Sequence, residues 1–217
     1  MVRQQQDFIP SEIWTRDAAE RAAERMRVTY ESGPFQALIS QMDEQYVHGI
    51  EPPAPPPPEL HGPLEASRVT LRRADEADVP AIAQLIASAH LPPLFIEEFI
   101  EGFVVADHDA DMIGCGGVEV YEDTCFLRSI VVHPKAQGLG LGRRMSDLLI
   151  EAASACGVRD VYLFTQDAWP FWLKLRFTDI PVEAWRKPAQ QTWQYRFVAP
   201  RLDVLRGVHS MWRAIDG

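Results

Sequence analysis

The chain has 217 residues, 47% of them hydrophobic, and a formal net charge of −10 at pH 7 from 31 Asp+Glu against 21 Lys+Arg. That length and composition allow one ordinary domain with its own core plus an extra segment, and they exclude wholesale disorder. The acidic balance repels phosphate backbones, so nucleic acid is not an expected partner, although one local basic cluster can still hold a small phosphorylated ligand.

In chain order, the first expected element is a helix that starts near Ser11, a suitable N-cap, and stacks Trp14, Ala18, Ala22, Met26 and Tyr30 at i+4 spacing. Ser32-Gly33-Pro34 ends it, and a second apolar stripe follows through Phe35, Leu38, Met42 and Tyr46. Two helices alone bury too little surface to be stable, so this arm (residues 1–50) must pack on the main domain or offer a surface for a homodimer. Glu51 to Leu60, EPPAPPPPEL, holds six prolines. It reads as an extended polyproline II spacer within a linker of residues 51–66.

Beyond the linker, strands and helices alternate. Val69-Thr70-Leu71 reads as a strand, and Asp78 to Ser88 as a helix with Ile82, Leu85 and Ile86 inward. Leu94 to Ile100 reads as a short helix, and Phe103-Val104-Val105 as a strand. Met112–Tyr121 and Cys125–His133 form an antiparallel hairpin across Glu122-Asp123-Thr124. A helix with Met145, Leu148, Leu149, Ala152 and Cys156 on one face stops at Gly157. Val161–Phe164 then reads as a strand, Phe171–Leu175 as a short helix and Thr192–Val198 as the last strand, leaving 201–217 as a tail. The result is an α/β fold with a mixed, mostly antiparallel sheet flanked by helices.

The chemistry concentrates in "IVVHPKAQGLGLGRRMSDLL", from Ile130. Alternating glycines ahead of a helix let the backbone approach a ligand and turn successive amides inward, where the helix dipole favours an anion. Arg143 and Arg144 oppose that dipole unless an anion sits there. The spacing fits neither GxGxxG nor the Walker loop, which leaves a diphosphate ligand of different geometry.

Gln137-Gly138-Leu139-Gly140-Leu141-Gly142 between strand and helix resembles the acetyl-CoA pyrophosphate loop, Q/R-x-x-G-x-G/A, of the GNAT family of N-acetyltransferases. "VVHPKAQG" resembles the family's V-x-P-x-x-R-G approach, and the downstream "FWLKLRF" strengthens a likeness that runs from about Val69 to Phe197. A narrower likeness, in Gly117–Tyr121 and Leu127-Arg128-Ser129, is to arsenic-resistance-associated acetyltransferases.

The resemblance implies a GNAT domain over 67–200 that takes acetyl-CoA as co-substrate and acetylates a small, amino-acid-like amine. It implies that backbone amides near Ile130, Val131 and Val132 polarise the thioester. Gln137, Gly138, Leu139, Gly140, Leu141, Gly142 and Arg143 hold the diphosphate.

Glu119 is the expected base, with Tyr121, Arg128, Ser129 and Trp172 around the acceptor; the alternative for Glu119 is a structural pair with Arg128. Trp172 stands where the family usually places a tyrosine acid, and Arg176 where it places a glycine, so thiolate protonation falls to solvent, Ser129 or Tyr162. A weakened acyl-CoA-binding module, or an interaction protein using its N-terminal helices, stays open as the alternative function.

Other residues read as structural. His133 is expected to be a turn residue, the aromatics Trp169, Phe171 and Trp172 are expected in the core with the acyl cleft as the alternative for Trp169, and "DHDAD" (107–111) is expected to be a solvated hairpin. Cys115, Cys125 and Cys156 lack CxxC or zinc-like spacing, which reads as free thiols in a reducing compartment with no metal site. With no apolar signal core or membrane span in view, a cytoplasmic protein without a membrane partner is expected.

Overall fold

A computed structural model describes residues 15–30, 33–44 and 53–215. One seven-stranded sheet runs in the order β1-β2-β3-β4-β5-β7-β6. Its strands are β1 (Val69–Arg73), β2 (Phe103–His108), β3 (Asp111–Tyr121), β4 (Thr124–Val132), β5 (Asp160–Thr165), β6 (Thr178–Asp179) and β7 (His209–Ala214). The helices are α1 (Arg16–Tyr30), α2 (Gly33–Met42), α3 (Val79–Ser88), α4 (Leu141–Ala155), α5 (Trp169–Lys174) and α6 (Trp193–Val198). The β1/β2, β2/β3, β5/β7 and β6/β7 pairs are antiparallel, and β4/β5 is parallel from Thr124–Asp160 to Phe126–Tyr162. No described helix is long and apolar enough to cross a membrane.

The chain divides into two compact units, the first chiefly Ala54–Val118 with Leu127–Cys156, the second chiefly Ala19–Pro53, Glu119–Phe126 and Gly157–Gly217. In the first unit every residue of β2 is buried, as a strand covered on both faces must be. α3 turns Ile82, Leu85 and Ile86 inward, and α4 turns Leu141, Met145, Leu149 and Ala152 inward at near-i+4 steps. The second unit gathers Phe126, Tyr162, Trp185 and Ala189, with Phe164 stacked on Trp185 at 4.7 Å.

Four elements differ from the expectation, the two-residue strand β6 at Thr178–Asp179 being one that was not expected. Leu94–Ile100 forms turns that pass into a 3-10 turn at Ile100–Gly102, not a helix. Thr192–Val198 is helix α6, where the Thr192 hydroxyl caps by accepting from Tyr195 N at 3.1 Å. The final strand is instead β7, inside the segment read as a tail, and it pairs with both β5 and β6.

The N-terminal arm is helical where it is described; Ser11, Trp14 and Tyr46 lie outside the described residues. Ala22, Met26, Phe35 and Met42 are buried within the chain. Arg201 forks onto Asp43 at 2.5 and 3.0 Å beyond α2.

The proline-rich stretch is docked on the first unit, not a free spacer. The Pro56 carbonyl accepts from Gln84 and the Pro58 carbonyl from His133, while His61 N donates to Asp111. Polyproline geometry makes no internal hydrogen bonds, which leaves its carbonyls open to such partners.

"DHDAD" is the β2–β3 turn, but Asp107 is only 9% exposed and bonds the Arg72 guanidinium at 2.6 Å. It is therefore less solvated than expected. Among the described residues no group of three or more His, Cys, Asp or Glu is placed to hold a metal.

Candidate active site

In the first unit, β4 delivers Ile130, Val131 and Val132 to the glycine loop. Ser129, inside the strand, has φ 54, a left-handed setting that costs a non-glycine residue about 1–2 kcal/mol and is kept mainly where function needs it. His133 then caps the turn: its Nδ1 accepts from Lys135 N at 3.1 Å, and its Nε2 donates to Pro58 O at 3.2 Å. Gln137 leaves in extended conformation, and its Nε2 donates to Val132 O at 3.4 Å.

Gly138 and Gly140 follow with φ 84 and 75, and a Cβ built on either meets nothing within 4 Å. Their demand is therefore conformational, not steric. Gly140 is the N-cap of the 15-residue α4 and brings no side-chain cap. The first i→i−4 bond closes only at Arg144 N→Gly140 O, 3.1 Å. The amides of Leu141, Gly142 and Arg143 thus head the helix without an acceptor in the helix ladder. Leu139 is 37% exposed and Leu141 buried. An open, left-handed, uncapped helix start fits a diphosphate. Arg143 is exposed in the first turn, with Nε 3.4 Å from Asp147, a surface pair of small energetic weight.

Arg128, on β4 of the same unit, is 6% exposed and lies over the Phe103 ring at 5.5 Å. Its guanidinium donates to Leu94 O, and Nε reaches Ser129 Oγ at 3.4 Å. The β3 glycines permit this packing. A Cβ on Gly117 would meet Phe103 at 2.7 Å, and one on Gly116 would meet Ile130 Cδ1 at 2.4 Å.

The second unit holds Glu119, which is 0% exposed. Three neutral donors converge on it: Tyr121 Oη at 3.0 Å, Trp193 Nε1 at 3.3 Å and Gln194 Nε2 at 2.8 Å. Glu119 and Tyr121 share a strand face by the period-2 rule, as expected. Neither Trp193 nor Gln194 was among the expected site residues. Both omissions followed from taking 192–198 for a strand, where the one available signal was a helix-capping threonine.

Trp172 had been expected beside the acceptor; it is 6% exposed and edge-on to Phe171 at 4.9 Å and Phe177 at 5.3 Å, a packing position. Tyr162, one expected acid, is buried against Trp185, and its oxygen accepts from Arg186 N at 3.3 Å. Burial raises its pKa, which makes it a poor proton source.

Comparison with known proteins bears on this arrangement. A model described as the acetyltransferase (GNAT) family matches residues 73–177. The amino-acid acetyltransferase of Mycobacterium tuberculosis is 30% identical over 124 residues, covering 52% of this chain and 70% of that protein. The chain belongs to the GNAT acetyltransferase family. It is an acetyl-CoA-dependent N-acetyltransferase.

The amino-acid acetyltransferase of Neisseria meningitidis serogroup A is 25% identical over 118 residues, although this GNAT chain matches only 27% of its length. Among solved structures, a Mycobacterium tuberculosis protein in complex with CoA superposes with TM-score 0.59 at 22% identity, over 68% of this chain and 99% of that one. The N-acetylglutamate synthase of Neisseria gonorrhoeae, complexed with coenzyme A and N-acetyl-glutamate, gives 0.58 at 22%, over 69% and 35%. At these identities the structural likeness speaks to the GNAT fold. The relatives named here are amino-acid acetyltransferases, and none is an arsenic-resistance protein.

Proposed function

We propose that this GNAT enzyme acetylates the amino group of a free amino acid. The observation that carries the reading is the buried Glu119, gripped by Tyr121, Trp193 and Gln194, in a chain related to amino-acid acetyltransferases. An α-amino group is largely protonated at pH 7 and is then no nucleophile. Glu119 takes that proton, directly or through one water. The amine nitrogen bonds to the thioester carbonyl carbon, gives up its second proton to solvent as the carbon–sulfur bond breaks, and CoA leaves as a thiolate that solvent protonates.

Backbone amides at Ile130–Val132 polarise the carbonyl, and Gln137–Arg143 hold the diphosphate. Arg128, with Ser129 and Tyr121, serves the acceptor, where a guanidinium suits a carboxylate. The arsenic-resistance likeness adds nothing that an amino-acid acceptor does not already account for.

Release of free CoA thiol with a panel of amino acids tests the acceptor, and no release with any of them sinks it. Glu119→Gln tests the base. Its amide can offer its oxygen to Gln194 and Trp193 and its NH2 to Tyr121, so the fold should stand. Turnover should fall by about 10²–10⁴ while acetyl-CoA binding is unchanged; near-normal turnover overturns the assignment.

A further inference from the structure

Gln194 is 6% exposed, and its two amide atoms have different fates. Nε2 donates to Glu119 Oε1 at 2.8 Å. The reverse orientation would set two acceptors against each other at that distance, so the carboxylate itself decides which way the amide points. The amide oxygen is then forced away from Glu119, and among the described residues it has no hydrogen-bond partner. A buried acceptor without a donor is rare in folded proteins and costs stability unless something else arrives. Whatever arrives must bring an N–H or O–H to an oxygen one amide group away from a carboxylate, which favours an ammonium group over an anion or a carbonyl.

We infer that Gln194 is an acceptor-binding residue, whose amide oxygen takes one N–H of the amine to be acetylated while its NH2 orients Glu119. The inference rests on the amino-acid reading of the function. An ammonium has three N–H donors. When Glu119 removes one proton, an N–H retained on Gln194 still holds the nitrogen, so its lone pair is presented in one direction and not left to rotate.

The test uses the full chain, saturating acetyl-CoA, thiol release as the readout, and L-glutamate with the other common amino acids as acceptors. Gln194→Met keeps the volume and removes the oxygen. Gln194→Glu keeps an oxygen there and, by sharing one proton with Glu119, keeps a donor toward it. The Met variant should raise the acceptor KM about tenfold or more, while the acetyl-CoA Kd by calorimetry stays unchanged. The Glu variant should lower kcat but hold the acceptor KM within about threefold, because the oxygen remains.

A Met variant with an unaltered acceptor KM overturns the inference and leaves the enzyme's acceptor class standing; a structural water then accounts for the oxygen. Equal rises in KM for both variants overturn it too. An unmodified chain that acetylates no amino acid sinks the proposed function and this inference together.

Discussion

The ring of Phe103 stands where a side chain on Gly117 would have to go, since a Cβ there meets ring atoms at 2.7 Å. The same ring carries the Arg128 guanidinium at 5.5 Å. The glycine, the platform and the cation form one stack, so a methyl group at 117 pushes on Arg128 through a fully buried phenyl ring. Gly117→Ala should cost about 1–3 kcal/mol of stability. Phe103→Leu made in the same chain should recover part of that loss. Urea unfolding of the two single variants and the double variant measures the coupling, and simple additivity would refute the stack.

Gly138 and Gly140 carry positive φ with open space around each Cβ position. Alanine there suffers no clash, only the left-handed penalty of about 1–2 kcal/mol. A loop freed from that conformation by substitution must regain it on binding, so Gly138→Ala should weaken acetyl-CoA binding by about 5- to 30-fold. Gly138→Asn should lose less, because asparagine visits this region more readily. Calorimetric titration with acetyl-CoA compares them.

Arg176 holds φ 65 at the end of α5, with its N–H bonding Leu173 O at 3.0 Å and Phe177 N–H bonding Trp172 O at 3.1 Å. This is the glycine-favouring Schellman closure, made here with an exposed arginine. Arg176→Gly should therefore stabilise the chain by about 0.5–1 kcal/mol, read as a higher Tm by calorimetry. An unchanged or lower Tm would show that the arginine side chain contributes more than the backbone loses.

His133 is buried, and burial holds its pKa below the usual histidine value. The folded state favours neutral imidazole, so its contribution is complete above the unfolded pKa of about 6.5 and is lost as pH falls through the lowered folded value. Protonation would also remove the Nδ1 acceptor from Lys135 N. Unfolding between pH 7.5 and 5.5 should therefore cost the parent more stability than His133→Asn, which keeps an acceptor and does not titrate. Equal losses would remove His133 from the pH response.

Much of the candidate site was legible locally. The glycine loop, the helix behind it and Glu119 with Tyr121 on one strand face all rest on spacing of 2 or 3.6 residues, which short-range sterics impose. The hairpin Asp111–Tyr121 to Thr124–Val132 lies within a residue of the boundaries read from alternation and turn residues. The misreadings were of another kind. Trp193-Gln194-Tyr195 has strand-forming aromatics, yet Thr192 caps a helix there, and from its first turn Trp193 and Gln194 bond Glu119. Ser210-Met211-Trp212 carries no stronger strand signal than its surroundings, and only pairing with β5 and β6 makes it β7.

By itself, then, the sequence determined the elements whose period exceeds the noise of propensity, and the glycines whose positive φ no other residue adopts cheaply. The tertiary structure decided what burial decides: that Trp172 packs, that the prolines dock on the first unit, and that an amide oxygen of Gln194 is left without a donor. For the prolines and Gln194 the partners lie 28 to 75 residues away along the chain, and no local pattern encodes a contact that distant.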